Sequence, residues 1–167
     1  LIARDTLDVA GHMALGHYTH EKNPVTCAAA LATLEVIEEE KLPEHAAELG
    51  AYALQKLWEM ASRHPLIVDT RGLGLLLGVE LGKAGSNGLR QPAVEEAERV
   101  MYESLTRGLN FKVTMGNVLT LTPSLVITKD EMDQALQILD EVIGLVEAES
   151  NLTHSKSGDH LAVSHGH

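Results

Sequence analysis

An amphipathic helix that stops at a proline and is followed at once by two β-like runs constrains this fold most. After Pro43, apolar residues recur every three or four positions and so share one helical face, which comprises Ala46, Leu49, Ala53, Leu57, Met60 and Ala61. Pro65 ends the helix because its ring cannot join the hydrogen-bond ladder. The runs 66–68 and 75–81, joined by the glycine-rich stretch 69–74, then predict a β-hairpin. The chain must therefore bury a helix against a sheet.

Three further helices are predicted around this unit. Asn23-Pro24 is a typical helix entry, and a helix is predicted over 24–41, followed by the amphipathic one over 44–64. Pro92 is predicted to open another helix, which ends at Gly108. The last helix follows Thr128–Glu131, a capping box in which the hydroxyl and the carboxylate satisfy N–H groups reciprocally.

Two short strands, 111–114 and 118–122, are predicted around Gly116-Asn117, after a loop over 82–90. The resulting order is α-α-β-β-α-β-β-α. This order predicts an α+β domain with a small, mainly antiparallel sheet covered by helices.

Charge and composition exclude several functions. The 167 residues include 13 Lys and Arg against 24 Asp and Glu, a formal charge of −11, which disfavours nucleic acid as a partner. No uncharged apolar run approaches the roughly 20 residues that a membrane span needs. Cys27 is the single cysteine, so an internal disulfide is impossible and a reducing compartment, the cytoplasm, is predicted.

Taken alone, the polar residues indicate little chemistry. His17, His20 and Glu21 form a weak metal-ligand pattern, which is more typical of a hydrogen-bonded loop, so no metal site is predicted. The stretch 69–74 lacks the strand-loop-helix context of a phosphate-binding loop, and a turn with an Arg–Asp contact is favoured. Cys27, in an alanine-rich helix, is expected to be buried and inert.

Three ordered segments resemble the class III aminotransferases, which are pyridoxal-phosphate (PLP) enzymes of fold type I. The run from Thr19 to Leu31 resembles their T-x-x-x-N-P-x-x-x-A-A-A-L stretch. The run 71–80 resembles R-G-x-G-L-x-x-G-x-E, and 118–125 resembles the closing R-x-x-P-P-L region. The resemblance covers about residues 1 to 148 and implies the C-terminal small domain of such an enzyme.

The resemblance also implies a domain organisation. Residues 1–22 are interpreted as a remnant of the large cofactor domain, 23–42 as a linking helix, and 43–149 as the small domain. The polar stretch 150–167 is predicted to be a disordered tail. The Schiff-base lysine and the aspartate that pairs with the pyridine nitrogen are expected before Leu1, so this chain alone is expected to be inactive.

Thr19 is the cofactor-binding residue that the resemblance implies. In the family, the threonine of this motif binds the phosphate of the neighbouring subunit's PLP, and a hydroxyl donor suits that role. The assignment implies a homodimer formed through the large domain and the 16–24 loop.

Thr120 occupies the position where amino-acid-using members often place an arginine that binds the substrate carboxylate. A threonine hydroxyl cannot replace that bidentate contact, which is worth about 1.5–3 kcal/mol. An amine, an ω-amino acid, an amino-alcohol phosphate or an aminophosphonate is therefore the expected substrate. His20, beside Glu21-Lys22 where many members have two glycines, is a second candidate substrate contact.

Three functions remain open at this point. The first is amine transfer from such a substrate to a keto acid. The second is a PLP-dependent lyase on the same scaffold, since the same cofactor chemistry supports elimination. The third is a non-catalytic interaction module, which the apolar face of the alanine-rich helix disfavours because it would stay exposed.

Overall fold

The structure is a computed structural model that describes residues 23–85 and 88–159, with side chains up to residue 150. The chain divides into two compact units, residues 1–41 and residues 42–167.

In the first unit, α1 spans Pro24–Glu39. Its predicted cap is confirmed, because Asn23 Oδ1 accepts a hydrogen bond of 2.9 Å from the backbone N–H of Val25. The helix contains no buried residue. Cys27 is exposed like the rest of this helix, and the prediction that it is buried is wrong, because no other described element buries a face of α1.

The second unit is built on a five-stranded antiparallel sheet, which confirms the predicted α+β class. Its strands run in the order β1-β2-β5-β4, and β3 pairs with β2. The elements are α2 (Leu42–Ala61), β1 (Ile67–Leu73), β2 (Leu76–Ala84), β3 (Arg90–Pro92), α3 (Val94–Thr106), β4 (Lys112–Thr114), β5 (Val118–Leu121) and α4 (Lys129–Asp159).

Several boundaries differ from those predicted. The prediction of a loop over 82–90 is partly wrong, because β2 continues to Ala84 and pairs there with the unpredicted strand β3, which begins at Arg90. Helix α2 spans Leu42–Ala61 and not 44–64. The stretch 69–73 continues β1, because each of its residues pairs across the hairpin with β2. Pro92 ends the short strand β3 and α3 begins at Val94, so the prediction that Pro92 opens the helix is wrong. Proline is compatible with an edge strand, since such a strand needs fewer N–H donors.

The last helix begins as predicted. Thr128 Oγ1 accepts from the N–H of Glu131, and the backbone N–H of Thr128 donates to Glu131 Oε2 over 2.8 Å. Thr128 Oγ1 also donates to Glu131 Oε2 over 2.8 Å, and the hydrogen bonds from the backbone N–H and then from the hydroxyl of Thr128 lower the pKa of Glu131. The helix runs to Asp159 and so occupies the first part of the predicted disordered tail, because extending a formed helix costs little. Residues 160–167 lie outside the described ones.

The core lies between one face of the sheet and helices α2, α3 and α4. Most of the predicted α2 stripe is buried there, namely Leu49, Ala53, Leu57 and Met60, with Ala46 and Ala61 packed against it. The sheet contributes Leu77, Val79, Leu81 and Leu119, all at most 1% exposed. Alternation along a strand sends the neighbouring residues to the opposite face.

A charged network joins the end of α2 to α4. His64 lies between two carboxylates, with Nδ1 2.7 Å from Glu147 Oε2 and Nε2 2.9 Å from Asp140 Oδ1. Glu147 also accepts from the backbone N–H of Leu66, and Asp140 accepts from Arg63. An imidazole donates to both carboxylates only when it carries a proton on each nitrogen.

The pKa of Asp140 reflects this network. Partial burial disfavours the charged form, but the hydrogen bonds from Arg63 and His64 outweigh it and hold the pKa of Asp140 below its usual range. The network therefore favours an ionised Asp140 in the folded chain.

The β4–β5 connection sets the register of these two strands. Thr114 pairs with Val118, and the turn between them places Met115 at φ 53° and Gly116 at φ 85°. Asn117 in the same turn is buried and donates from Nδ2 to the carbonyl of Leu81 over 2.8 Å. This contact anchors the turn to β2.

Candidate functional site

The two glycines of the R-G-x-G stretch serve backbone packing. A Cβ on Gly72 would lie 2.6 Å from Leu77 Cδ2 and 2.7 Å from the carbonyl oxygen of Leu76. Gly74 has φ 54° in the hairpin turn and lies against Gly50 of α2. The stretch is a strand and a tight turn, which agrees with the prediction against a phosphate-binding loop.

The sheet face opposite the core carries polar side chains in two rows. One row crosses four strands through Arg71, Gly78, Thr120 and Lys112. The next row contains Asp69, Glu80, Val118 and Thr114. Directly paired residues of antiparallel strands share a face, so these side chains lie together. We call Asp69, Arg71, Glu80, Lys112, Thr114 and Thr120 the polar face.

On β1 and β2, the charges of the polar face are paired. Arg71 Nη1 lies 2.8 Å from Glu80 Oε2 and 2.5 Å from Asp69 Oδ2, and the predicted Arg–Asp contact is confirmed. Hydrogen bonds to Glu80 and then Asp69 raise the pKa of Arg71 further above its high ordinary value. The Arg71 guanidinium therefore already binds two carboxylates of the protein through Nη1.

On β4 and β5, the polar face presents hydroxyls and an ammonium group. Thr120 is half-buried, and its Oγ1 lies 2.8 Å from Thr114 Oγ1. Lys112 is exposed directly across the ladder from Thr120. Among the described residues, Lys112 has no ion-pair or hydrogen-bond partner for its ammonium group, and so this half of the face carries an uncompensated positive charge.

Gly78 leaves a gap in the middle of the polar face. A Cβ added there would meet nothing nearer than Val118 Cγ1 at 3.5 Å and Arg71 Cγ at 3.8 Å, which are ordinary contacts. Packing among the described residues therefore does not require glycine at this position. The missing side chain leaves the surface beside Thr120 open.

The predicted site residues are only partly described. Thr19 and His20 lie outside the described residues, as do His17 and Glu21. Thr120 lies on the polar face, and Lys112 beside it was not predicted. The pattern Lys112-x-Thr114 before a turn, with Thr120 after it, could have indicated the pairing, because facing hairpin positions share one side.

The environment that activates a Schiff-base lysine is not formed by the described residues alone. Such a lysine is activated in a desolvated pocket or beside another cation. Lys83 is half-buried, but its Nζ is 2.8 Å from Glu96 Oε1. The others are exposed, namely Lys41, Lys56, Lys112 and Lys129.

Two features are absent from the described part of the chain. No cluster of three or more His, Cys, Asp or Glu side chains there could hold a metal ion. None of its helices has the length and apolar character to cross a bilayer.

The chain belongs to the class III aminotransferase family, whose model matches residues 5–143. It is 44% identical over 146 residues to the (R)-1-hydroxy-2-aminoethylphosphonate ammonia-lyase of Vibrio splendidus (strain 12B01), which covers 87% of this chain and 30% of that relative. The chain thus spans about 30% of the length of this and other curated relatives that it matches. Pyridoxal phosphate is the cofactor of this family.

Solved structures share the fold. An amine transaminase from an uncultivated Pseudomonas species, in its PLP-bound form, matches with a TM-score of 0.71 and 30% identity, over 83% of this chain and 31% of that one. A phospholyase from Arthrobacter in complex with phosphoethanolamine matches with a TM-score of 0.67 and 31% identity. The match covers 73% of this chain and 29% of that one. These neighbours confirm the fold type I assignment.

Proposed function

We propose that this chain is the C-terminal part of a PLP-dependent enzyme that transfers an amino group from an amine or a non-standard amino acid to a keto acid. The observation that carries the proposal is the family match over 5–143. The domain division given above is part of it: a large-domain remnant over 1–22, a linking helix over 23–42 and a small domain over 43–149. The cytoplasm, as the compartment, is also part of it.

Bound PLP would withdraw electrons from the substrate and so labilise bonds at the carbon that carries the amine. The described residues supply a different part of the site. Thr120 and its neighbours on the polar face would contact the substrate beyond its amine, with the hydroxyls donating to an anionic group. The lysine that holds the cofactor would come from the rest of the protein, since the described lysines are exposed or ion-paired.

A lyase reaction on the same scaffold is the second candidate function. Two observations favour it: the 44% identity to an ammonia-lyase that acts on an aminophosphonate, and the threonine at position 120. A stand-alone interaction module is the third candidate, and the exposed apolar side chains of α1, such as Val25 and Leu31, make it less favoured.

The need for a keto acid separates the two reactions. The full-length protein that contains this chain, loaded with PLP, is given an amine donor with and without a keto acid. A transaminase releases about one product per site without the acceptor and many with it, whereas a lyase turns over without any acceptor. Multiple turnovers without keto acid would contradict amine transfer and support the lyase. A protein that takes up no PLP would contradict both.

Thr19 is proposed to bind the phosphate of the PLP held by the partner subunit of a homodimer. Replacing Thr19 by valine in the full-length protein removes the hydroxyl but keeps the shape of the side chain. We expect PLP to bind about ten-fold more weakly, because a charge-assisted hydrogen bond is worth about 1.5–3 kcal/mol. Equilibrium dialysis followed by visible absorbance measures this, with Thr26→Val as the control. Equal PLP affinity in both variants would remove Thr19 from the site.

A further inference from the structure

We infer that Lys112, together with the Thr114–Thr120 hydroxyl pair, binds the distal phosphonate or phosphate of an amine substrate. The inference rests on the proposed function and adds the substrate class and a specificity-determining residue. It starts from the register of the sheet, which places Lys112 directly opposite Thr120 on the polar face.

The donors on this half of the face match a phosphorus oxyanion. Lys112 brings three N–H donors and a charge with no partner among the described residues. The hydroxyls of Thr114 and Thr120 are 2.8 Å apart and hydrogen-bonded to each other, and Thr114 Oγ1 also lies 3.5 Å from the Val118 carbonyl oxygen. The hydroxyl that does not donate to the other can rotate its proton towards an anion. A group with three acceptor oxygens and up to two negative charges can then accept from the Lys112 ammonium group and from the threonine pair at once.

A carboxylate is matched less well by the same surface. It favours the planar fork of an arginine, which binds both oxygens side by side. Position 120 is a threonine, and Arg71 is already bound to Asp69 and Glu80. A lysine ammonium group acts as a point charge, so it binds a phosphonate or a phosphate without needing the side-by-side geometry of an arginine.

The position of the acidic residues favours binding at the β4 side. Glu80 lies on β2, two strand spacings or about 10 Å from β4, and its charge is partly balanced by Arg71. Gly78 leaves the space beside Thr120 open on that side. An anion would therefore lie over Thr120 and Lys112, with the rest of the substrate extending above Gly78.

The test uses the full-length protein loaded with PLP and the Lys112→Met variant, which keeps the length of the side chain but removes its charge. The substrates are 2-aminoethylphosphonate, O-phosphoethanolamine, β-alanine and the uncharged-tail amine propylamine. We expect Lys112→Met to raise KM at least ten-fold for the two phosphorus compounds. We expect kcat for them to change less than two-fold, and the kinetics of propylamine to be unchanged. Lys56→Met, on the exposed side of α2, is the matched control.

Methylphosphonate provides a readout that needs no turnover. It carries the anion but no amine, and its Kd is measured by competition against 2-aminoethylphosphonate for the wild type, Lys112→Met and Lys112→Arg. We expect methylphosphonate not to compete in the Lys112→Met variant. In Lys112→Arg, we expect its Kd to stay close to that of the wild type.

The outcomes separate this inference from the proposed function. An unchanged KM for both phosphorus compounds in Lys112→Met, with propylamine still processed, would overturn the inference and leave the function standing. A wild-type protein with a higher kcat/KM for β-alanine than for either phosphorus compound would also overturn the inference and leave the proposed function standing. Preference for only one phosphorus compound supports the site and identifies the source of its anion. Absence of PLP uptake would overturn both proposals.

Discussion

Replacing Gly50 by alanine is expected to destabilise this chain by about 3 kcal/mol, because there is no room for a methyl group. An added Cβ would overlap the carbonyl group of Gly74 and lie only 2.7 Å from the Gly74 Cα. These atoms belong to the backbone, so no side-chain rotation relieves the overlap. Either α2 or the β1–β2 turn must shift, and both pack on the core.

Urea unfolding followed by circular dichroism measures this effect. Gly144→Ala is the matched control, since it makes the same change within α4 and its Cβ would meet only His64 Cε1 at 3.4 Å. We expect that variant to keep or raise stability, by up to about 1 kcal/mol, because alanine favours a helix over glycine. Equal unfolding midpoints for the two variants would show that α2 and the turn are not in close contact.

Replacing His64 by alanine is expected to lower the free energy of unfolding by about 2–4 kcal/mol. The substitution leaves Asp140 and Glu147 without the ring nitrogens that hydrogen-bond to their carboxylates. The His64 side chain is only 12% exposed, so water replaces these bonds poorly. Lys56→Ala, which removes an exposed ion pair with Glu59, is the control and should change stability by at most about 0.5 kcal/mol.

The same variant should alter the dependence of stability on acid. Because the folded pKa of Asp140 is lowered, its contribution is fully present above the pKa of an unfolded aspartate, about 3.9, and is lost as pH falls through the lowered value. Without His64, the pKa of Asp140 should rise towards its ordinary value, so its contribution to stability should be smaller and less stability should be lost as pH falls below about 3.9. Unfolding curves between pH 7 and pH 2.5 measure this. Parallel pH profiles for the two proteins would contradict a role for His64.

The elements that could be predicted from sequence are those governed by local patterns. The α2 stripe follows helical spacing, and the Thr128–Glu131 box lies within four residues, so both were found without the structure. The start of α3 was misplaced because the Pro92 signal is compatible with two states, a first helical turn and an edge strand.

The contacts that escaped prediction join distant parts of the chain. His64 meets Asp140 and Glu147 across separations of 76 and 83 residues, and no local rule links such positions. For the polar face, Thr120 was found through the resemblance, whereas Lys112 required the register of two strands. The partners of Arg71 illustrate both cases, since Asp69 is two residues away and Glu80 comes from the facing strand.

The β4–β5 turn gives the chain a simple route by which specificity can change. Insertion or deletion of one residue near Met115 would slip the ladder and send every side chain of β4 to the other side of the sheet. Lys112 and Thr114 would then leave the polar face together, while Val113 would replace them there. With the substrate bound as proposed above, substrate choice would change through the length of this turn, and comparisons of binding residues alone would miss the cause.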